Sequence, residues 1–306
     1  MLVLIAGITG SLGKRLAEIA IARGLSVRGL GRNPDSLGPE ISEHLESFVK
    51  SDSYYDIPAH EKAVAGVDAV INAYSPIPML DLDGHLLLIR AAERAQIKVF
   101  VASSWSRDWT NIKFNDFEHY NNHLAFEHQI ATTSTIRPVY ILTGIFTDLL
   151  FTPYGPGGFD TSGDRPRMRY WGNENTKSKW PWSTQDDAAS RTIDILLYGD
   201  GVQAGKGGFF KIRSGVTTIE ELAVVYEKVF GVKVDVTRAG SVDDLEKELA
   251  RLREEKGRTG YGEYMAEAAA LIASKGLWEN RDLTVLDQFK KSPTLEEHFT
   301  EVKNKA

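Results

Sequence analysis

The sequence of 306 residues contains no cysteine, which excludes disulfide bonds, thiolate metal sites and catalysis by a cysteine nucleophile. It also lacks long apolar runs, since no window approaches the roughly 20 apolar residues that a membrane-spanning helix needs. The first apolar run, residues 2–6, is too short for the core of a signal peptide, and no basic segment precedes it. These absences predict a cytoplasmic protein without a membrane partner.

A surplus of positive charge is missing as well. The formal net charge is −6, so neither nucleic acid nor an anionic membrane is expected as a partner. Hydrophobic residues make up 42% of the chain and charged residues 25%, both ordinary for a globular protein. A chain of this length and composition is expected to bury its own core, as one large domain or two ordinary ones.

Short apolar runs and amphipathic stretches alternate in the first half of the chain. The runs predict strands at residues 2–6, 26–30, 47–49, 69–72, 99–102 and 134–137. Helical periodicity falls between them, at residues 12–23, 60–65, 80–95 and 119–131. This alternation predicts an α/β fold, a doubly wound parallel sheet of the Rossmann type over residues 1–150.

The alternation breaks in the second half, where residues 151–182 are rich in glycine, proline and aromatics and predict loops with little regular structure. Helices are predicted at residues 186–197 and 241–256. Another begins at the capping box formed by Thr218 and Glu221 and ends before Gly231. Residues 151–306 are predicted to form a smaller C-terminal α/β lobe, with residues 184–215 packing back on the Rossmann domain.

A glycine-rich loop, Gly7-Ile8-Thr9-Gly10-Ser11-Leu12-Gly13, lies between the first strand and the first helix. In a dinucleotide site one glycine permits the turn, one lets the backbone approach the diphosphate and one packs helix on strand. The amides at the helix start then face the phosphates. The alternative is a glycine-rich turn without a ligand, but the strand–turn–helix context favours binding. The predicted diphosphate-binding residues are Gly7, Thr9, Gly10, Ser11, Leu12 and Gly13.

The residues at the end of the second strand predict which of the two nicotinamide dinucleotides, NAD(H) or NADP(H), is bound. NAD sites place a carboxylate near its end for the ribose 2′-hydroxyl, but residues 26–34 contain no acid. Arg32 lies there instead, with Asn33 beside it, and a guanidinium suits the 2′-phosphate of NADP(H). A solvated arginine, with Asp35 on the ribose, is the alternative. Further cofactor contacts are predicted at the ends of later strands, from Asp52, Asn72, Ala73, Tyr74, Ser75 and Ser103.

With these motifs the chain resembles the NmrA-like and isoflavone-reductase-like branch of atypical short-chain dehydrogenases/reductases, over nearly its whole length. Residues 100–108, Phe-Val-Ala-Ser-Ser-Trp-Ser-Arg-Asp, are similar to that family's strand with its F-x-P-S-E-F-G-x-D continuation. Residues 130–140 and 292–297 are similar to its next helix end with the following strand and to its C-terminal T-x-E-E stretch. The resemblance implies NADP(H) binding and reduction of small, often aromatic, molecules. Other members bind the dinucleotide as redox sensors.

The resemblance also implies a lysine on the helix after the fifth strand, and this sequence departs from it. No lysine occurs between Lys113 and Lys177, and the expected position falls on His123. His123 and Tyr120, one helical turn apart, are therefore candidates for proton transfer. Alternatively, His123 belongs to a polar helix surface with His119 and His128.

Asp108 follows the fifth strand and is a third catalytic candidate, as acid, base or cation partner. Alternatively, Asp108 is a structural loop residue that forms an Asx turn. No His-Glu-x-x-His pattern is present, so no metal is expected.

Large aromatic residues crowd into the loop-rich segment, which predicts a roomy apolar pocket or lid rather than isolated anchors. The residues assigned to substrate binding are Phe151, Tyr154, Trp171 and Trp180, with Trp105, Trp109 and Tyr140 on an inner wall. The alternative is that single aromatics only anchor the segment to the domain. A bulky aromatic or polycyclic substrate is therefore expected.

Three functions are compatible with these residues. An NADP(H)-dependent reductase of specialised metabolism, monomeric or homodimeric, agrees best with the motifs. A redox-neutral isomerase, condensing or cyclising enzyme on the same scaffold is the first alternative, since the family lysine is absent. A non-catalytic NADP-binding redox sensor is the second, although a sensor needs no substrate pocket.

Overall fold

A computed structural model describes residues 1–77, 79–173 and 177–305. Its strands are β1 (Leu2–Ala6), β2 (Ser26–Gly31), β3 (Leu45–Lys50), β4 (Ala69–Asn72), β5 (Val99–Val101), β6 (Val139–Leu142), β7 (Ile145–Phe146), β8 (Arg167–Trp171), β9 (Trp180–Ser183), β10 (Gly208–Lys211), β11 (Gly215–Thr217) and β12 (Asp235–Gly240). Its helices are α1 (Ser11–Ala22), α2 (Pro39–Ser42), α3 (Ile57–Val64), α4 (His85–Arg94), α5 (Asn121–Thr133), α6 (Gln185–Tyr198), α7 (Ile219–Phe230), α8 (Val242–Lys256), α9 (Met265–Ser274) and α10 (Leu295–Lys305).

Seven parallel strands form the central sheet, in the order β3-β2-β1-β4-β5-β6-β10. The order reverses at β1, which pairs with β2 on one side and β4 on the other. This arrangement confirms the predicted Rossmann-type fold class. Because ligands in such sheets bind at the carboxyl ends of the strands beside the reversal, the topology points to the loops that follow β1 and β4.

Side chains of β1 alternate between two cores. Val3 and Ile5 point into a core that includes Leu16 of α1 and Ile193 of α6. Leu4 and Ala6 point into the opposite core, which is covered by α3, α4, α5, α8 and α9. Successive side chains of a strand face opposite sides, so a continuous apolar run is what a strand buried on both faces requires.

The chain returns to the central sheet after the loop-rich segment. Helix α6 packs against α1, where Arg15 Nε lies 2.6 Å from Asp186 Oδ1. Strand β10 then pairs with β6 at the sheet edge. Of the residues that the structure describes, none belongs to a helix long and apolar enough to cross a membrane.

Two sequence predictions about strands are wrong. The strand predicted at residues 134–137 lies instead at Val139–Leu142, which is buried throughout. Ser134 and Thr135 end α5 and bind the Glu93 carboxylate, so they form a connection rather than a strand. The segment predicted as loops contains β8 and the start of β9 (residues 174–176 lie outside the described residues), because both pair with strands distant in sequence.

The capping prediction for α7 is confirmed. Thr218 accepts a hydrogen bond from the Glu221 backbone N–H, the Glu221 carboxylate accepts one from the Thr218 backbone N–H, and Gly231 ends the helix with a φ of 74°. Helix α10 begins with the same kind of box, between Thr294 and Glu297, in the stretch that resembles the family's C-terminal motif. Helices α7 and α10 pack together over the smaller sheets in a third core.

Candidate functional site

A cavity of about 980 Å³ opens at the carboxyl ends of the central strands and extends from the glycine loop to the start of α5. Many of the residues predicted for cofactor, catalysis and substrate line this one space: Gly7, Thr9, Gly10, Ser11, Leu12, Arg32, Asp52, Ala73, Tyr74, Ser75, Ser103, Trp105, Tyr120, His123 and Tyr154. The structure thus brings the predicted dinucleotide loop and two catalytic candidates into one continuous site.

The three loop glycines have distinct structural roles. Gly7 has a φ of 78°, and a Cβ there would lie 2.6 Å from the Ala73 carbonyl oxygen. A Cβ on Gly13 would lie 2.2 Å from the Gly7 carbonyl oxygen, so Gly13 packs helix on loop and does not line the cavity. Gly10 caps α1 without a side-chain hydrogen bond, and a Cβ there would lie 3.3 Å from the Gly7 carbonyl oxygen, a milder contact than at the other two glycines. An exposed helix start with a positive dipole end fits a diphosphate.

At the adenosine end of the cavity Arg32 is exposed, and within the described residues its side chain has no ion pair or hydrogen bond. Asn33 does not line the cavity. Its side chain accepts the Asp35 backbone N–H and caps the turn at Pro34–Ser36, so it shapes the loop that carries Arg32. Asp52 lines the cavity together with Tyr54 and Tyr55, two aromatic residues that the sequence analysis missed. A free guanidinium at this position fits a 2′-phosphate.

The turn after β4 is held by buried polar groups. Asn72 is buried, does not line the cavity, and accepts the Tyr74 backbone N–H at 3.1 Å. The Tyr74 hydroxyl lies 3.1 Å from His60 Nε2, and the Ser103 hydroxyl donates to the Tyr74 carbonyl at 2.8 Å. Burial raises the pKa of Tyr74 and lowers the pKa of His60, so both groups stay neutral at pH 7.

At the other end of the cavity, His123 Nδ1 lies 3.2 Å from Asp81 Oδ1, and both side chains are buried. Asp81 belongs to a single π-helical turn, Leu80–Gly84, that precedes α4. Burial opposes ionisation of Asp81, but the neighbouring His123 outweighs it and keeps the pKa of this carboxyl below its usual value. Asp81 is therefore a carboxylate that holds the His123 ring.

Tyr120 stacks on His123 with 5.3 Å between the ring centroids. Its hydroxyl accepts the Arg107 backbone N–H at 3.1 Å, which leaves the hydroxyl proton free to donate. His119, also on the cavity wall, has its pKa lowered to about 4 by burial and by the neighbouring His123, so its ring is neutral. From the sequence, a polar helix surface with His123 and His128 was the alternative interpretation of His119. Asp81 was not a candidate, because it lies far from His123 along the chain.

Asp108 lies outside the cavity lining. Its Oδ1 accepts the backbone N–H and the hydroxyl of Thr110, which is the Asx turn considered as its alternative role. Its Oδ2 lies 2.6 Å from Lys211 Nζ on β10. We therefore assign Asp108 a structural role that joins the loop after β5 to the sheet edge.

Most of the predicted substrate-binding aromatics pack away from the cavity. Trp109 and Tyr140 form a cluster with Phe209 of β10. Phe151 packs against Phe159, Tyr226 and Phe299 in the third core. Trp171 and Trp180 line a separate pocket of about 20 Å³, too small for an aromatic ligand. These positions correct the predicted inner wall, because apolar rings reduce their exposure most by packing on one another.

Other residues supply the apolar part of the cavity wall. They were not singled out from the sequence: Ile77, Met79, Leu80, Phe117, Ile145, Phe146, Leu149 and Met265. Each is an ordinary apolar residue in its local pattern, so no sequence signal marks it. Across residues 1–77, 79–173 and 177–305, no group of His, Asp or Glu side chains is placed to hold a metal ion.

The NmrA-like family matches residues 1–295 of the chain. The chain belongs to this family. The bifunctional pinoresinol-lariciresinol reductase 2 of Linum usitatissimum is 26% identical over 269 residues, which cover 83% of this chain and 77% of that protein. The match confirms the resemblance drawn from the sequence motifs.

Two solved structures of other proteins have the same architecture. AtPrR2 with NADP+ and (+)pinoresinol superposes with a TM-score of 0.73 at 20% identity, covering 98% of this chain and 97% of that one. The binary complex of leucoanthocyanidin reductase and NADPH from Vitis vinifera has a TM-score of 0.70 at 19% identity, covering 98% and 99%. At identities this low, the structural similarity shows a shared fold and nothing more.

Proposed function

We propose that this protein is an NADP(H)-dependent reductase that acts on a bulky aromatic small molecule. One observation carries the proposal: a single cavity connects the glycine loop and Arg32 with the buried pair of His123 and Asp81. The similarity to pinoresinol-lariciresinol reductases supports the same activity class. A role in specialised metabolism is consistent with that class.

The residues that would hold the cofactor follow from their chemistry. The amides at the start of α1 suit the diphosphate, and Arg32 suits the 2′-phosphate through forked, charge-assisted hydrogen bonds. Tyr74 and Ser103, linked by a hydrogen bond, support the wall between these groups and His123. When bound, NADPH supplies a hydride to the substrate.

The chain's own residues would then handle the proton. The Asp81 carboxylate lies 3.2 Å from His123 Nδ1 and favours a proton on that nitrogen, which leaves Nε2 to exchange a proton with a substrate oxygen. Tyr120 stacks on the imidazole, and its hydroxyl proton is available to a polar group of the substrate. The apolar wall, which includes the buried Phe117 and Ile145, favours an aromatic ligand.

The proposal is tested by following the absorbance of reduced nicotinamide while purified protein is offered a panel of bulky aromatic ketones and imines. A substrate-dependent loss of NADPH is expected, with kcat lowered about 100-fold in His123→Gln. The matched control is His128→Gln, an exposed histidine on the same helix. Product formed with an unchanged cofactor spectrum would instead support the redox-neutral alternative, which the absence of the family lysine favours. No turnover at all would favour the sensor.

A further inference from the structure

Arg107 lies on the loop after β5 and lines the cavity beside His119 and Tyr120. The residue is only 8% exposed. Its guanidinium lies over two tryptophan rings, 4.5 Å from the centroid of Trp278 and 5.5 Å from that of Trp180. These rings hold the guanidinium in place and supply part of the solvation that burial removes.

No carboxylate neutralises this guanidinium within the described residues. Its one side-chain hydrogen bond there runs from Nη2 to the Tyr154 carbonyl at 3.4 Å, and its buried Nε has no partner. Neighbouring acids are already paired, since Asp108 binds Lys211 at 2.6 Å and Glu118 binds Arg253 at 2.8 Å. An arginine stays protonated in proteins, so the cavity wall carries a buried positive charge without an anion.

We propose that Arg107 is a binding subsite for a carboxylate group on the aromatic substrate. The inference rests on the proposed function, because it takes the cavity to be a substrate site. A guanidinium presents parallel N–H donors that match the two oxygens of a carboxylate, and a desolvated site strengthens the pairing. Arg107 occupies the variable position of the family motif quoted above.

The subsite also explains how the cavity rejects neutral relatives of its substrate. The surrounding wall, formed by Phe117, Ile145 and Met265, offers apolar contact to any aromatic ring. An analogue without the carboxylate leaves the buried charge of Arg107 unpaired, and sites that depend on a buried polar partner discriminate strongly against such analogues. Arg107 is therefore a specificity-determining residue, in contact with the substrate's acidic group.

The test measures binding without turnover. Calorimetric titrations of 2-naphthoate and its neutral isostere 2-naphthamide into the NADP+-loaded protein compare wild type, Arg107→Gln and Arg107→Lys. Naphthoate is expected to bind the wild type about 10- to 100-fold more tightly than naphthamide. Arg107→Gln should lose this preference and Arg107→Lys should keep part of it. Arg281→Gln, at an exposed arginine outside the cavity, should behave as wild type.

Equal affinities of the two ligands for the wild type would overturn the subsite. So would unchanged naphthoate binding in Arg107→Gln. If Arg107→Gln does not fold, the wild-type preference and its reduction in Arg107→Lys decide the question. If naphthoate is preferred but no aromatic carbonyl compound causes NADPH oxidation, the carboxylate subsite is supported and the proposed reductase activity is contradicted. If wild type and Arg107→Gln reduce neutral ketones at equal rates, the reductase activity is supported and the carboxylate subsite is contradicted.

Discussion

His123 and Asp81 form a buried pair with 3.2 Å between Nδ1 and Oδ1, at the position where the family resemblance implies a lysine. A lysine presents one ammonium group at this place, whereas a histidine presents a ring with two nitrogens, either of which can carry the proton. A carboxylate beside Nδ1 favours a proton on that nitrogen. His123, which departs from the lysine that the family resemblance implies, thus has a buried carboxylate partner in Asp81.

Asp81→Asn should lower kcat about 100-fold with little change in the KM for NADPH. The amide keeps the shape of the carboxylate but not the charge that stabilises a protonated His123. Steady-state kinetics at saturating NADPH measure the effect. Asp83→Asn, at an exposed acid in the same turn, is the control and should retain wild-type kinetics. An Asp81→Asn enzyme with unchanged kcat would remove Asp81 from the mechanism.

Acid should destabilise the fold through His85. This ring is buried, stacks 3.7 Å from Phe126 and accepts the Ser103 backbone N–H, and burial lowers its pKa to about 3. The unfolded state binds a proton near pH 6.5, so acid favours unfolding between that pH and the folded pKa. From about pH 7.5 to about pH 5.5, His85 should account for a loss of about 1 kcal/mol in the free energy of unfolding.

Urea unfolding of wild type and His85→Gln at both pH values measures this contribution. Glutamine keeps a hydrogen-bond acceptor but does not titrate, so the difference between the two pH values should shrink by about 1 kcal/mol. Part of the acid sensitivity should remain, because burial also lowers the pKa values of His60 and His119. The same pH difference in both proteins would contradict a neutral, buried His85.

Local patterns predicted the elements whose signals lie within a few residues. The glycine loop, the run of β1 and the capping box of α7 are each read from adjacent positions, and the structure has them where they were predicted. Pairings between distant segments left no such signal. Strand β8 pairs with β12, and β10 joins β6, only because the chain returns to them much later.

The same distinction separates the two parts of the site. Dinucleotide residues follow strand ends in a fixed topology, so their positions follow from the fold class. The identities of the residues that form the apolar wall of the cavity do not follow from the fold class. Trp109 and Tyr140 come from the predicted region but turn towards Phe209, whereas Tyr154 and Trp105 turn to the cavity. The composition predicted many aromatic rings in this part of the chain, but tertiary packing determines which of them line the cavity.

Lys211→Met should destabilise the fold by about 3 kcal/mol, because it leaves the carboxylate of Asp108 buried without its cation. The double variant Asp108→Asn/Lys211→Met removes both charges and should recover much of this loss. Its kcat should equal that of the wild type, since neither residue lines the cavity. Urea unfolding and steady-state kinetics test both parts. A double variant that folds well but turns over poorly would restore Asp108 as a catalytic residue.

Arg32→Ala should weaken NADP+ binding about 10- to 100-fold and change NAD+ binding far less. Only the phosphorylated cofactor offers a 2′-phosphate to the guanidinium, which has no partner of its own within the described residues. Calorimetry with both dinucleotides measures the ratio. Arg281→Ala is a charge-matched control, because Arg281 is exposed, pairs only with Glu279 within the described residues and lies outside the cavity lining. Equal losses for the two cofactors would defeat the assignment of NADP(H).

Alanine at Gly13 and at Gly10 should have opposite consequences. At Gly13 the new Cβ would lie 2.2 Å from the Gly7 carbonyl oxygen and 2.8 Å from the Ile8 Cα, both backbone atoms that cannot move aside cheaply. Overpacking of this kind costs about 1–3 kcal/mol, so the melting temperature should fall. At Gly10 the one atom within 4 Å of the new Cβ is the Gly7 carbonyl oxygen at 3.3 Å, a milder contact, so the loss of stability should be smaller than at Gly13.

Gly10 lines the cavity at the start of α1, where a diphosphate needs close approach to the backbone. Dinucleotide affinity should therefore fall in Gly10→Ala while its melting temperature stays closer to that of the wild type than the melting temperature of Gly13→Ala does, and calorimetry beside thermal unfolding separates the two effects. If Gly10→Ala bound NADP+ as tightly as the wild type, the glycine loop would be a turn that packs a helix on a strand, with no phosphate against it.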